Sequence, residues 1–476
     1  MIPIENAQTI PKQPLRTLLV WEKPFVRMVV LVALPMVLQN LLSSSLSVVD
    51  SIMVASLGDQ TLAAVSQAGR IMFLLQLALF GMGSGTSILL AQYFGAGNEA
   101  AIRRTTALGL QIMLVISVIF FLAVQLFGHQ LMGLFFRGED VAVRELSLTY
   151  LRAVSPAYLS SAVCVCFSSA LKCVRKATLA MACAMIAVAL NTTLTYALIH
   201  GAWIFPKWGV TGAGIATVAA SLTEMTLLLI VTYWGRLPGA IRLADFRFPG
   251  RAFMGKYVKL VTPVFLNEFF WALGVTAYAL VYGQLGADTL AGVALFGNLE
   301  QLSGAFFFGL MNATAVIVGN TLGKGDFARG WLYSKRMLLL TVAMAISACL
   351  TMTLLRYQIL AIFTQVSPDV RDIAAQLALV FMVVAPFKAL NSTNVVGILR
   401  SGGDALFTML VDMLGVWGIG IPMAIVGGLV FKLPVHWVYL MLSSEEMVKT
   451  VLGMMRFRSR KWMRNLTRDS AEAAVM

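Results

Sequence analysis

Apolar stretches of about twenty or more residues, the length a helix needs to cross a bilayer, recur along almost the whole chain. They fall at about 27–52, 62–93, 105–127, 146–170, 177–200, 210–234, 258–284, 289–319, 333–355, 374–399, 405–430 and 433–453. Lipid offers no partner for backbone N–H and C=O groups, so runs of this length are helices that satisfy themselves. The 476 residues are 59% hydrophobic and 12% charged, with a mean hydropathy of +0.82, where a soluble domain carries about 25% charged residues. The chain reads as an all-α polytopic membrane protein with twelve transmembrane helices. Residues 1–20 carry Pro3, Pro11 and Pro14 and no apolar core, which reads as a cytoplasmic lead-in and not a signal peptide.

The net charge of +14 invites a polyanionic partner, but the basic residues sit in alternate loops. About 26 Lys and Arg fall on the side of Lys12, Arg103, Lys172, Arg236–Lys259, Lys324, Arg400 and Arg456–Arg468, against about 7 on the other. That bias places both termini in the cytoplasm, with the basic face against anionic lipid and no nucleic acid required. Cys164, Cys166, Cys173, Cys183 and Cys349 match no metal spacing and read as small hydrophobes.

An internal repeat at an offset of 228 divides the chain. Pro35 recurs as Pro263, Leu57-Gly58 as Leu285-Gly286, Gly95-Ala96-Gly97-Asn98 as Gly323-Lys324-Gly325-Asp326, and Leu171-Lys172 as Leu399-Arg400. The organisation expected is a lead-in (1–26), an N-lobe (27–235), a basic cytoplasmic linker (236–257), a C-lobe (258–453) and a basic tail (454–476). Each lobe has six helices, so both enter the membrane in the same direction and are related by a pseudo-twofold axis along its normal. Transporters of that symmetry bind at mid-membrane and alternate access.

Charged residues inside spans cost roughly 2.5 to 3.5 kcal/mol on insertion scales and mark candidate sites. In the first span Gln39, Ser43, Ser47 and Asp50 share a helical face. Either these oxygens help to hold a dehydrated cation, or the serines bond back to their own helix and Asp50 snorkels. In the fifth span Asn191 and Thr195 lie one turn apart and face Asp50 on the first reading, or are packing residues on the second. In the seventh, Glu268 has Phe265, Trp271 and Tyr278 at neighbouring helical positions. This suits either an organic cation held by charge and ring faces or an acid neutralised by a structural partner. Lys388, Asn391 and Asn394 in the tenth span and Asp412 in the eleventh complete the candidate cavity; Lys388 and Asp412 pair with each other or with Glu268. Glu300, Arg70 and Glu224 have no partner that spacing names. At the repeat offset Asp50 falls on Tyr278 and Glu268 on Asn40, so the acids were not duplicated with the helices.

Leu34-Pro35 with Val49-Asp50-Ser51, Gly81 to Tyr93, Gly95-Ala96-Gly97, Trp208 to Thr217, Thr262-Pro263, Gly323 to Asp326 and Gly397 to Asp404 together resemble the multidrug and toxic compound extrusion (MATE) family of cation-coupled exporters, over nearly the whole chain. The resemblance implies twelve helices in two lobes and export of cationic or amphipathic organic compounds, driven by entry of Na⁺ or H⁺ as coupling ion. It implies no further cofactor and a monomer in the bilayer. Asp50 matches the family's first-helix aspartate and Asn191 its fifth-helix asparagine, with Thr195 where some members carry an acid or amide. Glu268 falls about a turn before the family's seventh-helix acid, which lies near Trp271; at the family's tenth-helix aspartate the nearest polar residues are Asn391 and Asn394.

The chain carries no complete GxxxxGK[ST] phosphate loop, since Tyr257 follows Gly255-Lys256, and no HExxH, and His129, His200 and His436 fall near predicted outer ends. Secondary antiport is the expected function and an embedded enzyme is not. The alternative is a flippase for lipid-linked precursors, which would line its cavity with several arginines or lysines.

Overall fold

The structure is a computed structural model, and it describes residues 21–135, 141–247, 250–361 and 367–467. The lead-in up to residue 20 and the tail beyond 467 lie outside the described residues.

The elements, in order, are α1 (Lys23–Ala55), α2 (Asp59–Gly95), α3 (Glu99–Phe135), α4 (Val141–Val154), α5 (Ala157–Cys173), α6 (Ala177–His200), α7 (Gly209–Trp234), a short 3₁₀ turn (Leu243–Phe246), α8 (Arg251–Gln284), α9 (Ala287–Gly323), α10 (Phe327–Leu360), α11 (Pro368–Asn391), α12 (Ala405–Met413), α13 (Ile421–Ile425), α14 (Val435–Leu442) and α15 (Ser444–Arg458). The described residues contain no strand. Among the described residues, ten helical segments are long and apolar enough to span.

Two expected spans are built differently. The one at 146–170 is α4 and α5, bent by 49° at Pro156, whose missing N–H interrupts the backbone ladder. The one at 433–453 is α14 and α15, which meet at Ser443. α11 and α12 continue into π-helical turns over Ser392–Leu399 and Leu414–Gly420, a geometry found mostly as local bulges at functional sites.

The duplication is visible in backbone conformation. Gly58 and Gly286 have φ +105° and +119°, and Gly97 and Gly325 have φ +71° and +79°, left-handed turns that an L side chain resists. Asn98 caps α3 by accepting from the Ala101 N–H, and Asp326 caps α10 by accepting from Arg329. Each of these pairs is 228 residues apart.

Two compact units divide the chain. Of the described residues, the N-unit comprises those within Leu38–Leu90 and Asn98–Tyr257, and the C-unit those up to Val37, Ala91–Gly97, and those from Val258. The division departs from 27–235 and 258–453 in two respects. The first turns of α1 and the last of α2 pack in the C-unit, where a β-carbon on Gly309 would lie 2.4 Å from Val37 and one on Gly323 would lie 2.0 Å from the Gln92 carbonyl. Residues 236–257 pack in the N-unit through Arg103 beside Asp245 (3.5 Å) and the Thr86 hydroxyl on Tyr257 (2.7 Å). All five cysteines are buried and unpaired.

Candidate functional site

In the N-unit a cluster of Val54, Ile199 and Ala213, with Tyr150, Leu62 and Val65 against it, joins α1, α2, α4, α6 and α7. Asp50 precedes Val54 by one turn of α1; Thr195 and Asn191 precede Ile199 by one and two turns of α6. Spans alternate in direction, so α1 and α6 run the same way, and the three polar residues lie on one side of the cluster. Thr195 and Asn191 are buried. The Asn191 amide points at the Thr217 hydroxyl from 3.5 Å, while Asn191 Oδ1 and Asp50 Oδ1 are buried with no hydrogen-bond partner. No described lysine or arginine forms an ion pair with Asp50, which lies within electrostatic reach of Tyr150. A buried acceptor left without a donor forfeits about 1 to 3 kcal/mol.

The rest of the stripe is less engaged. The Ser43 hydroxyl donates to the Gln39 carbonyl at 3.0 Å, as the back-bonding reading expected, and Gln39 is half-buried. The Ser47 side chain is outside the described residues.

The C-unit treats its acids differently. Glu268 is buried, and Arg400, only 2% exposed, donates to it from Nη1 at 2.8 Å. Arg400 Nη2 also lies 3.7 Å from Asp412 Oδ2, which accepts from the Asn267 amide at 3.1 Å. Glu268 thus has a cation from within the protein, the arrangement described by the second of its two readings, an acid with a structural partner. Trp271 stands with Asn267, Phe270, Asp412, Met413, Val416 and Trp417 around a shallow recess, Phe265 is half-buried, and Tyr278 lies farther along α8 against Gly420.

Lys388 pairs with Glu300 at 2.5 Å, with the Tyr439 hydroxyl 3.4 Å away, in place of the expected pairing with Asp412 or Glu268. Asn391 donates to the Glu446 carbonyl (2.7 Å) and carboxylate (2.8 Å) and accepts from Thr450 (3.0 Å). Asn394 is buried, its Oδ1 without a partner. Arg70 is exposed and Glu224 half-buried.

The family profile described as MatE matches this chain twice, over residues 35–197 and 263–426. The two matches begin at Pro35 and Pro263, the offset of the repeat. The chain belongs to the MatE family. It is therefore a membrane transporter and not an enzyme. This MatE protein is similar to "Probable multidrug resistance protein NorM" of Thermotoga maritima, 23% identical with 92% of this chain and 93% of the relative covered. It is also similar to "Multidrug resistance protein PmpM" of Pseudomonas aeruginosa, 27% identical over 82% of this chain and 81% of the relative. Among solved structures, a crystal structure of MATE in complex with MaL6 superposes with a TM-score of 0.83 at 17% identity, covering 94% of this chain and 98% of that one. An outward-facing MATE family transporter of the MOP superfamily superposes with a TM-score of 0.80 at 20% identity, covering 95% and 100%. At these identities the likeness carries the fold, the all-helical membrane architecture of twelve spans in two lobes.

Sequence reasoning missed two parts of the MatE protein's polar interior. Arg400 lies by sequence among the cytoplasmic-side basic residues, yet it is buried against Glu268. The apolar segment 433–453 also holds Glu445, Glu446 and Lys449, the lysine 3.6 and 3.1 Å from the two acids. The signal was present: acids three and four residues before a lysine share a helical face with it.

Proposed function

We propose that this MatE protein is a secondary antiporter of the cytoplasmic membrane, working as a monomer, that exports cationic or amphipathic organic compounds in exchange for Na⁺ or H⁺. Its lobes, 27–235 and 258–453, alternate access, and Asp50 with Asn191 and Thr195 holds the coupling ion. The observation that carries this reading is the buried Asp50 carboxylate oxygen without a donor, facing no described base and lying on the same side of the packing cluster as the orphan Asn191 carbonyl. A cation that enters gains both acceptors, and its departure restores an uncompensated charge, which is what a carrier driven by that ion needs. The multidrug resistance proteins NorM and PmpM, similar over most of their length, support organic compounds as cargo. The flippase reading is weaker, because Lys388 and Arg400 are held by Glu300 and by Glu268 and are not free to bind a pyrophosphate.

The test is export of a fluorescent cationic dye from proteoliposomes, with a Na⁺ gradient and a pH gradient imposed separately. One of the two should drive the wild-type protein, and Asp50→Asn should fold normally and lose that response. Gradient-driven export by Asp50→Asn at the wild-type rate would remove Asp50 from the coupling site.

A further inference from the structure

The C-unit holds more carboxylates than cations in one connected set. Glu268 and Asp412 share Arg400, Glu300 meets Lys388, and Glu445 and Glu446 share Lys449. Five acids thus face three bases, and a surplus of negative charge in a low-dielectric interior is removed by protons or bound cations. The acids are not equally compensated. Glu268, Glu300 and Glu446 each have a cation within 3.1 Å, and Asp412 has the Asn267 amide as well as Arg400.

Glu445 is the least satisfied. It is 5% exposed; Oε1 lies 3.6 Å from Lys449, and Oε2 is buried with no well-directed hydrogen bond. The Tyr278 hydroxyl on α8 is likewise buried without a well-directed hydrogen bond, and it lies within reach of the Glu445 carboxylate. Both atoms converge on Gly420, the last residue of the Leu414–Gly420 π-turn. A β-carbon there would lie 2.0 Å from the hydroxyl and 3.0 Å from Oε2, so only glycine leaves room for the two to meet. The charged and titratable groups around Glu445 are Tyr278 from α8, Lys388 from α11, and Glu446 and Lys449 from α15; Asp412 of α12 stands across Lys449, and Glu300 of α9 and Tyr439 of α14 stand behind Lys388.

We propose that Glu445 is a proton-binding site of the C-unit, with Tyr278 as its switchable partner. Ionised, the Glu445 carboxylate accepts from the Tyr278 hydroxyl; protonated, it donates to the same oxygen. A phenol serves both states by rotating its O–H, whereas a hard metal cation collects several oxygens, and among the described residues the Gly420 geometry sets the Tyr278 oxygen beside Oε2.

This site is independent of the Asp50 reading, and equilibrium titration separates the two. The full chain in lipid nanodiscs would be followed by infrared difference spectroscopy of the protonated-carboxyl stretch as pH is stepped from mildly acidic to mildly alkaline. The wild-type band should fall with rising pH. Glu445→Gln should remove one carboxyl's share of that change, Asp50→Asn a separate share, and the double variant both. An undiminished band change in Glu445→Gln would overturn the proposal, as would Na⁺ at constant pH bleaching the wild-type band as strongly as alkali does. Tyr278→Phe keeps every acid and should raise the midpoint of the Glu445 component, because the ionised form loses its donor. An unmoved midpoint would overturn the pairing, and this variant carries the test should Glu445→Gln not fold.

Discussion

In the N-unit, Asp50 lies within electrostatic reach of Tyr150, and no described lysine or arginine forms an ion pair with it. In the C-unit, Glu268, Glu300 and Glu446 each have a basic side chain within 3.1 Å. The two halves of the chain share their backbone devices at the 228 offset: Pro35 and Pro263 inside helices, Gly58 and Gly286, Gly97 and Gly325 at left-handed turns, and the Asn98 and Asp326 caps. Their polar interiors share almost nothing. Backbone devices serve helix geometry, which both copies need alike, whereas a buried charge serves one task and is costly to keep in a copy without that task. The lone acid has no basic partner among the described residues; most of the paired acids are already neutralised by the protein itself.

The comparison can be broken first at Arg400. Arg400→Leu leaves Glu268 and Asp412 without their cation and should cost about 3 to 5 kcal/mol, the usual effect of stranding one member of a buried pair. It would be read as a lower thermal midpoint by size-exclusion chromatography after heating. Adding Glu268→Gln and Asp412→Asn should recover most of the loss. A single variant that melts with the wild-type protein would mean that the C-unit does not depend on this balance.

The shared backbone devices come next. Gly95 and Gly323 pack reciprocally, Gly95 against the Asn320 carbonyl and Gly323 against that of Gln92, with a β-carbon 2.1 and 2.0 Å from those oxygens. Gln92 and Asn320 are themselves 228 residues apart. Alanine at either glycine forces two backbones apart and should cost about 1 to 3 kcal/mol, nearly equally at the two positions. Unequal midpoint shifts would show that the duplicated crossing is not used alike by the two copies.

The half-exposed Lys388–Glu300 pair should matter less. Replacing both by Met and Gln should change stability by about 1 kcal/mol or less, since removing both members of a pair strands no charge. The smallest effect on stability belongs to Asp50→Asn, which removes a charge that has no partner; its midpoint should equal or slightly exceed the wild-type value while ion-driven export is lost. A midpoint drop as large as that of Arg400→Leu would reveal a structural partner and erase the contrast between the units.

Much of this was legible in the amino-acid order. Hydropathy, the positions of Lys and Arg and the 228 repeat are properties of local stretches, so helix number, class and duplication follow from the chain alone, and so does the candidacy of Asp50 and Asn191. Pairing does not. Glu268 and Arg400 are 132 residues apart and Lys388 and Glu300 are 88 apart, and an acid of the first pair could as well have met Lys388 until the helices were packed. The division of α4 from α5 needed the consequence of Pro156, and the exposure of Glu445 to Tyr278 needed Gly420 to stand between them. Helices are decided by short-range hydrogen bonding and transfer to lipid, which sequence encodes residue by residue. Whether a buried acid is free or neutralised is decided by which helix face meets it, and only the tertiary structure supplies that.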